Sequence, residues 1–338
     1  MTHGTATANQ DYTLASGTLT FLPGQLQKSI PFAIRDDQND ETLTDSSFIT
    51  FRLPDGHIYR IRPEAGARPI DLTLALNQLS QGTEDESVST SPDGRWLAVV
   101  TDRFGIGGGW PGLAVVAADL SSGEAVRVNG EVIHPEGAVA IASGGNLVVY
   151  SVGEGPHTRD LWAARRSNGI WTVRLLTANS PYAFNSQPAI SADGTRLLFN
   201  GGNQPYNTGS EAICEVAVDG TGFRRAVTNA QRPSGTSSGA LHHADYFSDG
   251  SIVFEADWSG DQIWRLPPGS NQPVRVSSAT NENSPCVLAD GRIVSLWLNR
   301  PGNTLGVHEL TIRSATGTLL AVLLPDVDIL DIGISCAG

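Results

Sequence analysis

A single lysine, Lys28, stands in the 338 residues. Mechanisms that rest on a lysine nucleophile have no residue to use elsewhere in the chain, and a serine-hydrolase elbow is not expected either. Basic residues number 22 against 35 acidic ones, for a formal net charge of −13. That balance excludes sequence-independent binding to nucleic acid or to an anionic membrane surface, and it makes cations the more natural small partners. It also predicts a soluble monomer. No apolar run approaches the ~20 residues that span a bilayer, so no membrane insertion is expected. The start, Met1-Thr2-His3-Gly4, has neither the basic region nor the apolar stretch of a signal peptide. Cysteine is scarce: Cys214, Cys286 and Cys336 lie far apart, with no CxxC or Cys/His spacing. A zinc site is not expected, at least one thiol is left over within the chain, and all three read as free cysteines buried in strands.

Glycine and proline are plentiful, with 37 and 19 residues. They favour short strands joined by tight turns, hence an all-β protein. The stretch Glu86 to Arg103 is the clearest unit. A strand ends at Ser91, Pro92-Asp93-Gly94 makes a turn, and Trp96 to Thr101 is a second strand of β-branched and aromatic residues. Similar turns follow at Ser143-Gly144-Gly145, Ala192-Asp193-Gly194, Ser248-Asp249-Gly250 and Ala289-Asp290-Gly291, and the chain stops on Ser335-Cys336-Ala337-Gly338. The repeat length is about 40 to 55 residues, which is the spacing of propeller blades. Each turn leads into a second strand, such as Leu147 to Val152 or Ile252 to Ala256, then a third, such as Asp261 to Leu266, then a short fourth, such as Ala125 to Val128.

Ile334 to Gly338 reads as the first strand of a blade with nothing after it. Conversely, Phe48 to Leu53, Gly56 to Ile61 and Arg68 to Leu72 read as later strands of a blade with no beginning. Joined, they make a sixth four-stranded blade, and a closed ring has no exposed sheet edges at its seam. The turn and its flanking strands, Ser91-Pro92-Asp93-Gly94 above all, resemble the TolB-type β-propeller repeat, a relative of the WD-type blade, over about residues 47 to 338. The fold implies no single function.

Residues 1 to 46 carry no such unit. Gly4-Thr5-Ala6-Thr7-Ala8, Asp11-Tyr12, Gly17-Thr18-Leu19-Thr20-Phe21, Pro23-Gly24, Asp36-Asp37 and Glu41 resemble, over about residues 3 to 53, roughly half of a Calx-beta repeat, a small β-sandwich of extracellular or membrane-associated proteins. The resemblance implies Asp11, Asp36, Asp37 and Glu41 as matching carboxylates for Ca2+. A solvated acidic turn is the competing reading, since calcium takes six to eight oxygens and the rest of such a domain has no counterpart here.

The densest cluster of candidate chemistry is His242-His243-Ala244-Asp245-Tyr246, on an inner strand that faces the propeller funnel. Adjacent strand residues point to opposite faces, so both histidines reach one site only across a bulge. Its general layout resembles that of certain polysaccharide lyases, which mount funnel histidines on a metal. The loop holding His157 and Arg159 is expected at a rim. Trp110 and Trp258, in glycine-rich loops, are the candidate exposed stacking residues, whereas Trp96, Trp162, Trp171, Trp264 and Trp297 read as blade packing.

The expected function is a non-enzymatic binding or scaffold module for a protein or carbohydrate ligand. The two resemblances imply a segment of a larger extracellular, periplasmic or cell-surface protein. The alternatives are a carbohydrate-active, lyase-like enzyme using His242, His243, Asp245, His157 and Arg159 with a divalent metal, and a rigid, disulfide-free spacer. A histidine, an arginine and a carboxylate converging in the funnel would favour the enzyme, and a wall of backbone and small side chains would not.

Overall fold

In the computed structural model the turn at Ser91 to Gly94 is held by its own side chains. Ser91 Oγ accepts from Trp96 N at 2.9 Å and itself donates to Asp93. Gly94 takes a φ of 68°, which only glycine adopts at no cost. The same turn recurs in the third repeat, where Ser191 Oγ donates to Asp193 at 2.6 Å and Gly194 also has a φ of 68°. In the first turn the aspartate also reaches the next repeat, its Oδ2 accepting from Gly144 N at 2.8 Å. Gly145 lies against Trp96 so closely that an added Cβ would stand 2.1 Å from the indole.

The structure describes residues 12–13, 33–34, 47–73, 76–77, 81–82, 85–103, 114–119, 124–130, 135–153, 156–204, 210–277, 279–301, 306–327 and 334–337. The chain divides into two units, 1–45 and 46–338. In the first, Tyr12–Thr13 pairs antiparallel with Ala33–Ile34. Asp11, Asp36, Asp37 and Glu41 lie outside the described residues.

The second unit is a propeller of six four-stranded antiparallel sheets. Blade 1 runs through Asp85–Thr90, Trp96–Thr101, Ala114–Asp119 and Ala125–Arg127. The first strands of blades 2 to 5 are Pro135–Ile141, Phe184–Ile190, Leu241–Tyr246 and Glu282–Val287. Blade 6 takes its first strand from the end of the chain: Ser335–Ala337 pairs with Phe48–Arg52, with Ser335 opposite Thr50, Cys336 opposite Ile49 and Ala337 opposite Phe48. Ile58–Ile61 and Ile70–Asp71 complete it. The ring closes as the headless strands at 48–72 require.

Six apolar clusters lie where successive blades face one another. Trp96, Val100, Val148 and Tyr150 join blades 1 and 2, for example, and Leu198, Ile213, Phe254 and Trp264 join blades 3 and 4. Sheets covered on both faces need apolar residues at every position, which is why Trp96–Thr101 is buried throughout and carries no polar alternation.

The cysteine expectation is corrected. Cys286 and Cys336 form a disulfide, their Cα atoms 5.6 Å apart, and among the described residues only Cys214 is free. Ring closure sets the terminal strand beside the first strand of blade 5, so cysteines 50 positions apart become neighbours. The disulfide-free spacer falls with this bond. Cys214 is buried, and burial pushes its thiol up to about 12, which makes it inert.

Candidate functional site

The inner strands of all six blades wall a central channel of about 260 Å3. Ser87, Ser89, Ala138, Ala140, Ala189 and Ser335 set its character, with Gln187, His243 and Asp245 as the larger polar groups. Among the described residues no lysine or arginine lines it.

Three of these strands carry a bulge at one repeated position. The register breaks between Ser186 and Ala189, between His242 and Asp245, and between Asn283 and Cys286. At each break one residue turns left-handed: Gln187 at φ 53°, His243 at 43° and Ser284 at 51°. Each stands seven residues ahead of its turn glycine, Gly194, Gly250 or Gly291. Blade 2 has its own register break between Pro135 and Val139 and places Gly137, φ 72°, within it. A non-glycine residue held there costs about 1–3 kcal/mol, and such strain persists only where the surroundings over-determine it.

Here the surroundings are a hydrogen-bonded chain across blades 3, 4 and 5. His243 Nδ1 lies 2.9 Å from Glu255 Oε2, so the proton on Nδ1 is donated to the carboxylate. His243 Nε2 then accepts from the Gln187 amide at 2.5 Å. Asn200 Nδ2 donates to Gln187 Oε1 and lies 3.4 Å from His242 Nδ1. Ser284 N donates to Glu255 at 3.0 Å. The bulge therefore satisfies the condition set by strand geometry: His242 and His243, ring centroids 6.0 Å apart, join one network. Burial alone would raise the Glu255 pKa; the hydrogen bond from His243, the electrostatic attraction of the His243 and His242 rings and the Ser284 N–H outweigh it and hold the carboxyl below its ordinary value.

Asp245 stands apart from this chain. Its oxygens accept from Tyr246 N and from Val287 N of blade 5, both at 2.8 Å. Burial pushes its pKa up to about 6 against those two bonds.

The remaining candidates go elsewhere. His157 Nδ1 meets Asp160 at 2.8 Å, and Thr177 Oγ1 donates to the same oxygen at 2.6 Å, a knot that ties the third strand of blade 2. Arg159 joins blades 2 and 3 through its backbone, donating to Ala183 O and accepting from Asn185 N. Trp258 is corrected from an exposed platform to a core residue 1% exposed. Its Nε1 donates to Asn229 at 2.7 Å, and its ring packs edge-on against Phe254 and Trp264, with the Trp264 centroid at 5.0 Å. Trp110 lies outside the described residues. The spacing G-x-S-x-G does occur once, at Gly235-Thr236-Ser237-Ser238-Gly239. It leads straight into the inner strand of blade 4 with no helix after it, so it lacks the strand-turn-helix frame of a nucleophile elbow. Among the described residues no three His, Cys, Asp or Glu side chains are grouped to hold a metal ion, and no helix is long and apolar enough to cross a membrane.

The fold is a six-bladed β-propeller, and it is similar to that of TolB. The chain is similar to putative TolB from Agrobacterium tumefaciens, with a TM-score of 0.58 at 16% identity over 84% of this chain and 90% of that one. It is similar to TolB from Acinetobacter baumannii, with a TM-score of 0.60 at 14% identity over 86% of this chain and 66% of that one. A third similar structure is an oligogalacturonate lyase in complex with manganese, with a TM-score of 0.52 at 16% identity over 83% and 79% of the two chains. At these identities the likeness is one of fold. No family model matches the sequence, and no curated protein gives a significant match.

Proposed function

We propose that this chain is a non-enzymatic binding propeller, which takes part of a protein or carbohydrate ligand at its central channel and belongs to an extracellular, periplasmic or cell-surface protein. The observation that carries this reading is the channel wall: small, hydroxyl and apolar side chains, no arginine or lysine among the described residues, and a histidine whose two ring nitrogens are both engaged. A wall of that kind offers shape and acceptors, and it sets no arginine or lysine beside its one carboxylate, Asp245. The TolB-type fold supports a binding role, and the Cys286–Cys336 disulfide supports an oxidising compartment.

The test is a surface-plasmon-resonance screen of the full chain against arrayed glycans and short peptides, repeated with Ala138→Trp, which plugs the channel. Ligands that bind the native chain and are lost by the plugged one support the reading. Ligands indifferent to the plug overturn it.

A second reading, a lyase-like enzyme acting on carbohydrate with a divalent metal, draws on the bulge that brings His242 and His243 into one network with Glu255. It predicts depolymerisation of polygalacturonate with unsaturated ends visible in the ultraviolet, dependent on added manganese and lost in His243→Ala. No activity with manganese present removes it.

A further inference from the structure

Charge pairing inside this propeller follows one pattern with one departure. The seven carboxylate residues buried below the surface, from Asp85 in blade 1 to Glu309 in blade 5, each meet an arginine or a histidine. Asp85 with Arg103 at 2.7 Å and Glu282 with Arg313 at 2.6 Å are typical. Asp245 breaks the pattern. Among the described residues its partners are two backbone N–H groups, and no cationic side chain acts on it. Every arginine of residues 46–338 is among the described residues, and that unit has no lysine, so no arginine or lysine counter-charge is hidden in the rest of the propeller. Asp245 is also the one carboxylate among the described residues that lines the channel.

We infer that the channel is a site for a protonated amine, with Asp245 as its counter-ion. This rests on the binding-propeller reading and names the chemistry it selects. A carboxylate half-buried in a channel wall has lost part of its solvation, and a cation that meets it there makes up for that loss. Two lone pairs on Asp245 are used by Val287 N and Tyr246 N, which fix the group against blade 5 and leave acceptor capacity for a ligand. An ammonium carries three donors, and the same channel is lined by the hydroxyl residues Ser87, Ser89 and Ser335 from blades 1 and 6. A single carboxylate with neutral hydroxyls suits an ammonium better than calcium, which takes six to eight oxygens and usually several carboxylates. The other titratable groups nearby are engaged: His243 with Glu255 and Gln187, and Tyr246 with Glu215 at 2.9 Å.

The experiment is calorimetric titration of the full chain at about pH 7.5 with butylammonium, with capped lysine amide, and with 1-butanol as the neutral analogue. Both ammonium probes are expected to bind, and 1-butanol at least about tenfold more weakly. Asp245→Asn, checked for folding by its thermal melt, is expected to reduce ammonium affinity about tenfold and leave butanol unchanged. In the native chain the carbon resonance of the Asp245 carboxyl is expected to titrate at lower pH when butylammonium is saturating. Capped lysine binding more tightly than butylammonium points to a polypeptide source, and equal affinity to a free amine. Equal binding of butanol and butylammonium, an indifferent Asp245→Asn, an unmoved carboxyl titration, or no binding of either ammonium overturns the inference. A glycan or peptide that the Ala138→Trp plug loses and Asp245→Asn keeps would overturn it while leaving the binding-propeller reading intact.

Discussion

At the scale of single residues, the informative side chains are those whose partners come from distant parts of the chain. Asp245 has a sign that can be worked out. Its pKa is about 6 in the fold and about 4 unfolded, so between those values the native state holds more protons than the unfolded one. Stability from this group is fully present below about pH 4 and is lost as pH rises through about 6. The loss is about 3 kcal/mol. Denaturant titrations of the native chain and of Asp245→Asn from about pH 4 to 7 should differ by that slope, and parallel curves would contradict it.

Trp258 shows the limit of reading at this scale. A tryptophan in Asp257-Trp258-Ser259-Gly260 has the local text of an exposed loop. Its burial comes from Asn229, Phe254 and Trp264, none adjacent to it in sequence. Most of the seven buried carboxylates are hidden for the same reason, because their partners lie well away in sequence, as Arg103 does from Asp85 and Arg313 from Glu282; Asp160, three residues from His157, is the exception.

At the scale of elements, strands and turns were legible and bulges were not. The turn glycines, the apolar second strands and the headless strands at 48–72 follow from local residue chemistry, and each matches a strand of the propeller. A bulge needs one extra residue on one strand relative to its partner, a property of pairing. Gln187-Pro188, His243-Ala244 and Ser284-Pro285 occupy the same place in their blades, yet the left-handed residue differs in all three and only two are followed by proline. Without the bulge, alternation would have sent His242 and His243 to opposite faces.

Blade 2 supplies the control, since glycine holds its left-handed position at Gly137. Ser284→Gly should therefore be neutral or stabilising by up to about 1 kcal/mol, because it relieves the left-handed backbone. Ser284→Val should destabilise by about 2 kcal/mol or more, because a β-branched residue at positive φ is a genuine outlier. Urea midpoints of the two variants decide the matter, and a valine as well tolerated as glycine would mean that the bulge is absent in solution.

For the whole molecule the question is what keeps the ring shut. Two devices act at the seam. Ser335–Ala337 pairs with Phe48–Thr50 over three residues, and Cys336 is bonded to Cys286 of the neighbouring blade. Ser335 Oγ adds a bond from Thr90 N at 3.1 Å on the blade 1 side. The terminal strand is thus tied to both neighbours as well as to its own blade. The sixth blade was legible from the repeat spacing, because a first strand at the end and later strands at the start are complementary fragments. The disulfide was not, because its cysteines sit in different blades and meet only once the ring has closed.

A three-residue strand alone is a weak latch, so the covalent bond carries much of the closure. Cross-linking a loop of 50 residues removes about 4 kcal/mol of chain entropy from the unfolded state. The double variant Cys286→Ser, Cys336→Ser should then lose about 3–4 kcal/mol in denaturant unfolding and still unfold in one transition. Deleting residues 334–338 should go further. Hydrogen exchange should rise together in Phe48–Arg52 and in Glu282–Val287, because removing the strand uncovers blade edges on both sides of the seam at once. Exchange rising in Phe48–Arg52 alone would mean that blade 6 frays by itself, and that the ring is held by its blade-to-blade cores without the latch.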